Sequence, residues 1–216
     1  MLVLASASPR RQELLRNAGI AFTVQPADVD ETPLAGEMPR PCAERLAREK
    51  ALAIWSKRPE ELVLGADTIV VVEGAILGKP ANADDAARML RLLAGRVHRV
   101  ITGVCLVKGL ASGDLGEASQ SASPVQLAGN SYEIQRTENR EVKTASETTL
   151  VTMNGLCDEQ IREYVATGEP MDKAGAYAIQ GMASRWIPRI EGDYSNVVGL
   201  PVALVYRMLR EWGKDW

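Results

Sequence analysis

The chain has 216 residues, of which 46% are hydrophobic and 25% are charged, and its net charge is −3. This composition is ordinary for a globular protein with a sizeable core, and the acidic balance argues against a binder of duplex nucleic acid. No apolar run reaches the length needed to span a bilayer, and the first residues do not resemble a secretory signal. Cys42, Cys105 and Cys157 suit neither a disulfide framework nor a metal site. We therefore expect a cytoplasmic protein whose thiols are structural.

The most informative segment is a short strand signal followed by the start of a helix. Residues 2–5 are apolar and predict a buried strand, Ser8 is a good helix N-cap, and Gly19 predicts the end of that helix. Arg10 and Arg11 therefore lie in the first helical turn, where the helix dipole disfavours cations. Because helix N-termini and arginines both bind phosphate, the pattern predicts a phosphate-rich ligand at the end of the first strand.

Helix and strand signals alternate through the rest of the first half, as in α/β proteins. The predicted elements are a helix over 41–54, a strand over 63–72 interrupted at 65–68, a returning strand over 75–77, a helix capped by Asn82 and ended by Gly95, and a strand over 97–107.

The second half begins with a polar segment over 108–147 that shows little periodicity. It predicts a surface insertion, either partly disordered or an extended hairpin, within a single domain over 1–216. The later predicted elements are a strand over 148–153, a helix capped by Asp158 and ended by Gly168, a strand over 186–190, and a closing helix over 202–212. We expect an α/β fold with a mixed sheet and a ligand site at loops near strand ends.

Two acidic segments are candidates for chemistry. Asp67 lies within apolar, β-branched sequence, where burying a carboxylate is costly unless it has partners. It is either a capping or turn residue, or a carboxylate that binds a divalent metal or orients an attacking water. Asp28, Asp30 and Glu31 form either a solvated loop or a source of metal ligands. From this cluster we choose Glu31 to join Asp67 around a hard cation such as Mg²⁺.

Three lysines occupy unusual positions in the sequence. Lys50 lies near the apolar face of its predicted helix, Lys79 lies in a Gly-Lys-Pro turn, and Lys173 precedes a glycine-containing segment. Each alone is more typical of a solvated surface lysine. Together with Arg10 and Arg11 they would bind a polyanion with the charge density of a nucleoside triphosphate.

Gln180 lies in a segment bounded by Gly175 and Gly181. Its amide can both donate and accept, which suits reading a base edge, whereas the alternative is a glycine-bounded strand with Gln180 facing water. His98 is the only histidine and has no neighbouring cysteine pair, so it predicts a strand residue rather than a zinc ligand.

The chain contains an ordered set of short motifs: SASPRR (6–11), ERLAREKA (44–51), GADT (65–68), GKP (78–80), HRVITG (98–103), DKAGAY (172–177) with Gln180-Gly181, and GDY (192–194) with VGLP (198–201). Each motif alone is unspecific, but together they run through nearly the whole chain except 108–147. This ordered set resembles the Maf-like nucleoside triphosphate pyrophosphatases.

The resemblance implies a Maf-like, or ITPase-like, fold: an elongated mixed β-sheet flanked by helices, with two lobes around a nucleotide cleft. It implies hydrolysis between the α- and β-phosphates, which yields a nucleoside monophosphate and pyrophosphate, with Mg²⁺ or Mn²⁺. By motif match, Asp67 becomes the general base or metal-linked carboxylate, and Glu31 matches an acidic position of the family. The residues implied to handle phosphate are Ser8, Arg11, Lys50, Lys79 and Lys173.

Arg10, Thr68 and Gln180 resemble the family branch that acts on dTTP and UTP, whereas a sister branch that prefers 7-methyl-GTP typically has an aromatic residue in place of Arg10. The segment over 108–147 departs from the family pattern, in which a shorter loop joins the two strands. The resemblance also suggests a homodimer. The rival hypothesis is a non-catalytic regulator of cell division that binds nucleotide or a partner protein.

Overall fold

The computed structural model describes residues 1–110, 123–127, 130–137 and 139–212. The strands within these residues are β1 (Leu2–Leu4), β2 (Phe22–Val24), β3 (Leu62–Val72), β4 (Ala75–Leu77), β5 (Val97–Gly109), β6 (Ser123–Leu127), β7 (Asn130–Thr137), β8 (Arg140–Thr152) and β9 (Arg189–Glu191). The α-helices are α1 (Pro9–Asn17), α2 (Pro39–Trp55), α3 (Ala83–Leu93), α4 (Asp158–Ala166), α5 (Tyr194–Val198) and α6 (Val202–Arg210). Short 3₁₀ turns span Glu169–Asp172, Ala174–Ala176 and Met182–Trp186.

The described strands form one mixed sheet in the order β2-β1-β3-β5-β8-β7-β6, with β4 paired to β3 and β9 paired to β8. β1 runs parallel to both β2 and β3, so that Leu2 lies opposite Phe22 and Leu62. The pairs β3–β4, β6–β7, β7–β8 and β8–β9 are antiparallel. This mixed sheet with flanking helices confirms the predicted α/β class.

The chain divides into two compact units, which we describe separately. Unit 1 comprises Met1–Asp67, Thr102–Glu147 and Gly199–Trp216, and unit 2 comprises Thr68–Ile101 and Thr148–Val198. None of the described helices combines the length and the apolar character needed to cross a membrane.

The sheet of unit 1 is buried on both faces. Leu2 and Leu4 of β1 belong to a core that includes Leu15 of α1 and the apolar side of α6, whereas Val3 belongs to a second core with Ile54 of α2. A strand covered on both faces has apolar side chains at every position rather than at alternate ones. This explains why β1 is a continuous apolar run in the sequence.

Two glycines let α2 pack directly against β3 and β5. A Cβ at Gly65 would overlap the carbonyl oxygen of Ala47, and a Cβ at Gly103 would overlap that of Ala43. The interruption predicted at residues 65–68 is therefore wrong, because β3 continues through it. Gly65 marks a close approach of helix and strand, not a turn.

Unit 2 has its own core, in which Val70 and Val72 of β3 pack with α3, α4 and Trp186. Asn82 caps α3 as predicted, since its side chain accepts from the backbone N–H of Asp85 at 2.9 Å. Helix α4 is capped one residue earlier than predicted, at Cys157, whose N–H donates to Gln160 at 3.0 Å.

The second half differs from the sequence prediction in two strands. β8 begins at Arg140 rather than at residue 148, and the strand predicted over 186–190 begins only at Arg189. Part of the predicted insertion, residues 111–122, 128–129 and 138, lies outside the described residues. Of the remainder, β6 and β7 pair in an antiparallel arrangement with Leu127 opposite Asn130, and the predicted insertion as a whole stays a prediction.

Candidate functional site

Lys50 joins the two carboxylates that the sequence singles out. It lies on α2 and is only 6% exposed, and its Nζ is 2.5 Å from Oδ1 of Asp67 and 2.6 Å from Oε1 of Glu31. Asp67 is buried in β3, whereas Glu31 lies in the loop before α2 and is partly open to solvent. The geometry excludes a solvated Lys50 and a turn role for Asp67. A buried ammonium held by two carboxylates makes each of the three groups depend on the others.

Arg11 fixes the backbone beside this cluster. Its Nε donates to the carbonyl of Gly199 at 2.7 Å, and its Nη1 donates to the carbonyl of Ala66 at 2.9 Å and to the hydroxyl of Ser6 at 3.1 Å. Burial lowers the pKa of Arg11, and the nearby Asp67 and Glu31 counteract that effect by raising it. The guanidinium thus lies close to both carboxylates and holds the strand immediately before Asp67.

The first turn of α1 has the predicted geometry. Ser8 is the N-cap, and its hydroxyl accepts from the backbone N–H of Arg11 at 3.4 Å. A hydroxyl that accepts a capping bond keeps its own hydrogen as a donor, so this role is compatible with a contact to phosphate. Arg10 lies in the same turn and is partly buried.

The loop that carries Glu31 is held by residues that the sequence analysis did not single out. Arg45 of α2 donates to both carboxylate oxygens of Glu37 at 2.7 Å and to the carbonyl of Thr32 at 3.3 Å. Arg45 holds the pKa of Glu37 down at about 2, so the pair stays charged at any ordinary pH. Contacts between a helix and the loop before it have no periodic signature, which is why this clamp was missed.

In unit 2 the loops that carry the other two lysines are joined through their backbones. The N–H of Gly175 donates to the carbonyl of Gly78 at 3.0 Å, which links the turn of Lys79 to the segment of Lys173. Gly175 has a φ of +70°, and a Cβ there would press on Val70. Lys173 donates to the carbonyl of Glu169 at 2.7 Å and pairs with Asp172 at 2.5 Å.

Thr68 and Gln180 also belong to unit 2. Thr68 follows Asp67 directly in β3 and is partly buried, and Gln180 is exposed. Gln180 lies in a turn, not in the glycine-bounded strand that was the alternative, because the N–H of Gly181 bonds to the carbonyl of Ala178 at 3.1 Å. The structure therefore gathers Glu31, Lys50 and Asp67 with Arg11 nearby in unit 1, and places Thr68, Lys79, Lys173 and Gln180 in unit 2.

His98 is a buried residue of β5 that contacts Tyr177, with 2.7 Å between its Nε2 and the tyrosine hydroxyl. Burial lowers the pKa of His98 to about 4, so the ring is neutral at ordinary pH. It is a packed strand residue, as predicted, and it contacts the segment that leads to Gln180.

The acidic pair fits a metal that arrives with its own oxygen ligands. Within the described ranges, no group of three or more His, Cys, Asp or Glu side chains converges on a point. Oε1 of Glu31 and Oδ1 of Asp67 both contact the ammonium of Lys50, which brings the two carboxylates close together. Mg²⁺ commonly binds one or two carboxylates, several waters and substrate phosphates, so two carboxylates are a sufficient protein contribution.

Comparison with known proteins bears on the whole chain. The family model described as "Maf-like protein" matches residues 1–212. The chain belongs to this family. It is 52% identical over 212 residues to a protein named dTTP/UTP pyrophosphatase from Koribacter versatilis, a match that covers 98% of this chain and 94% of the relative.

Two further relatives of the Maf-like chain carry the same name. The protein from Symbiobacterium thermophilum is 47% identical over 98% of this chain and 94% of its own length. The protein from Geobacter sulfurreducens is 45% identical over 98% of this chain and 96% of its own length. Because each match covers almost the full length of both proteins, the family assignment applies to both units.

Proposed function

We propose that this Maf-like protein hydrolyses dTTP and UTP to the nucleoside monophosphate and pyrophosphate. The observation that carries the proposal is the ion-pair cluster of Glu31 with the buried Lys50 and Asp67, in a chain whose relatives are named dTTP/UTP pyrophosphatases. Phosphoanhydride hydrolysis needs charge neutralisation and a positioned water more than it needs a covalent nucleophile.

In this proposal the residues of unit 1 carry the reaction. Asp67 orients the attacking water as general base, and Lys50 holds Asp67 and Glu31 in place through its two ion pairs. Glu31 and Asp67 would hold Mg²⁺ or Mn²⁺, which supplies Lewis-acid polarisation of the phosphate when bound. Ser8 and Arg11, at the N-terminus of α1, bind phosphate oxygens, since helix N-termini and guanidinium groups favour anions.

The residues of unit 2 contribute charge and base recognition. Lys79 and Lys173 act as point charges on the polyphosphate, and the backbone bond from Gly175 to Gly78 that links their loops supports this assignment. Gln180 hydrogen-bonds the edge of the pyrimidine, with Thr68 and, from unit 1, Arg10 completing the preference for dTTP and UTP. The implied homodimer stays a prediction.

The first test is pyrophosphate release from a panel of dTTP, UTP, CTP, GTP and 7-methyl-GTP, with Mg²⁺ and then with Mn²⁺. We expect dTTP and UTP to be cleaved fastest, and we expect a chelator to abolish the release. The Asp67→Asn protein, purified identically, controls for a contaminating phosphatase. Faster cleavage of 7-methyl-GTP would replace the proposed substrate class. If neither metal supports pyrophosphate release but the protein binds nucleotide, the non-catalytic regulator would be favoured.

A second test concerns the base. Because Gln180 is exposed, Gln180→Ala should leave the fold intact. We expect the ratio of kcat/KM for UTP over CTP to fall by about tenfold, as for loss of one discriminating hydrogen bond, with the Mg²⁺ concentration for half-maximal activity unchanged. Gln135→Ala on β7, where the amide donates to the exposed Glu133 at 2.7 Å, is the matched control. An unchanged substrate ranking would remove Gln180 from base recognition.

A further inference from the structure

The turn that presents Gln180 is held on both sides by two side chains that also bind each other. The backbone N–H of Ala178 donates to the hydroxyl of Tyr164 at 3.1 Å. The backbone N–H of Met182 donates to both carboxylate oxygens of Glu169 at 3.2 Å. Both anchoring bonds lie two residues from Gln180, one before it and one after it.

Tyr164 and Glu169 form a closed hydrogen-bond circuit with this turn. The tyrosine hydroxyl donates to Oε1 of Glu169 at 2.7 Å while it accepts from Ala178. Tyr164 is completely buried, and its ring packs edge-on against Trp186 at a centroid distance of 5.4 Å. Burial, reinforced by the bond to Glu169, raises the pKa of Tyr164, so the hydroxyl keeps the proton that it donates.

The turn approaches the carboxylate of Glu169 so closely that a side chain at Gly181 would force this carboxylate to move. A Cβ built on Gly181 would overlap the carboxylate of Glu169. The backbone carbonyl of Glu169 also accepts from the Nζ of Lys173 at 2.7 Å. Glu169 thus anchors both Lys173 and the turn that carries Gln180.

We infer that Tyr164 and Glu169 are positioning residues that set the base preference by fixing the turn of Gln180. This inference rests on the proposed function. A glutamine amide carries both a donor and an acceptor, and uracil and cytosine differ at one ring edge by exchange of an acceptor for a donor. If its backbone moves, the amide can adjust to either edge. A hydrogen bond discriminates between bases only when its protein partner is held in place.

The test uses Tyr164→Phe, which removes the hydroxyl and keeps the ring against Trp186. We expect the kcat/KM ratio for UTP over CTP to fall severalfold, toward the ratio of Gln180→Ala. Pyrophosphate release from UTP should be retained. Tyr206→Phe removes the same group from an exposed tyrosine of α6 and should leave the ratio unchanged. Glu169→Gln, which keeps the shape of the side chain, should shift the ratio in the same direction.

A double variant separates positioning from a general structural effect. On the Gln180→Ala background, Tyr164→Phe should cause no further change in the ratio, because the turn then carries no amide to position. An unchanged ratio in both Tyr164→Phe and Glu169→Gln would overturn the inference. It would also be overturned if Tyr164→Phe shifted the ratio as much in the Gln180→Ala protein as in the wild-type protein. If the wild-type protein cleaves neither UTP nor dTTP, it is the proposed function that fails. Circular dichroism identifies a variant that does not fold, in which case the other variant decides.

Discussion

Asp67→Asn is expected to reduce pyrophosphate release from dTTP by about a thousandfold while the protein stays folded. Asparagine has the shape of aspartate but can neither accept a proton from water at neutral pH nor bind a hard cation as strongly. Lys50 would still have Glu31 as a partner, 2.6 Å from its ammonium, so the buried cation would not be left alone. The measurement is kcat/KM by pyrophosphate release, paired with thermal denaturation of the same sample.

The matched control for this variant is Asp158→Asn. Asp158 begins α4, its side chain is 65% exposed, and it pairs with Arg91, whose side chain is 53% exposed. Such a surface exchange should change the turnover rate by less than about twofold. Near-normal turnover in Asp67→Asn would remove Asp67 from the reaction. Loss of activity together with loss of the folded state would instead show that the variant is structural.

Elements whose signals are local could be predicted from the sequence. Ser8 and Asn82 cap their helices because a cap depends on a side chain and the N–H three residues later. The predicted break in β3 was wrong because Gly65 is needed for close tertiary packing and not for a turn. Its missing Cβ makes room for the backbone of α2, and no pattern around residue 65 shows that helix.

The late start predicted for β8 failed for a different reason. Residues 140–147 are mostly polar, and polar sequence normally indicates a loop. In the structure, however, Glu141, Lys143 and Ser146 are buried. Their partners are distant in sequence: Glu141 accepts from Trp212 at 2.6 Å, Lys143 pairs with Glu211 at 3.2 Å, and Ser146 donates to Glu44 at 2.6 Å. Composition alone cannot distinguish buried polar residues that bond to distant parts of the chain from the polar residues of a solvated loop.

The candidate site also combines features that local sequence signals indicate with contacts that they do not. Lys50, Glu31 and Asp67 each stood out in the sequence, but Lys50 was assigned to a polyanion and its ion pairs with the two carboxylates were not predicted. No sequence pattern indicated the bonds of Arg45 to Glu37 or of Tyr164 to Glu169, because these residue types are common at those spacings. Residues that contact a ligand can stand out by type, whereas residues that position them are identified by geometry.

Lys50→Met should lower both the activity and the stability of the protein. Methionine fills a similar volume but leaves Asp67 and Glu31 facing each other without the ammonium that now lies between their oxygens. Removal of one partner from a buried ion pair costs about 3–5 kcal/mol, and the partial exposure of Glu31 places the expected loss of unfolding free energy at about 3 kcal/mol. Pyrophosphate release should fall at least about a hundredfold, because the reacting carboxylate loses its fixed position.

A second variant distinguishes carboxylate repulsion from a simple packing defect. Adding Asp67→Asn to Lys50→Met should restore much of the stability without restoring activity, since it removes one of the two opposed charges. Lys57→Met, at an exposed position just after α2, should change neither property. Wild-type stability and turnover in Lys50→Met would show that the ammonium does not hold the two carboxylates.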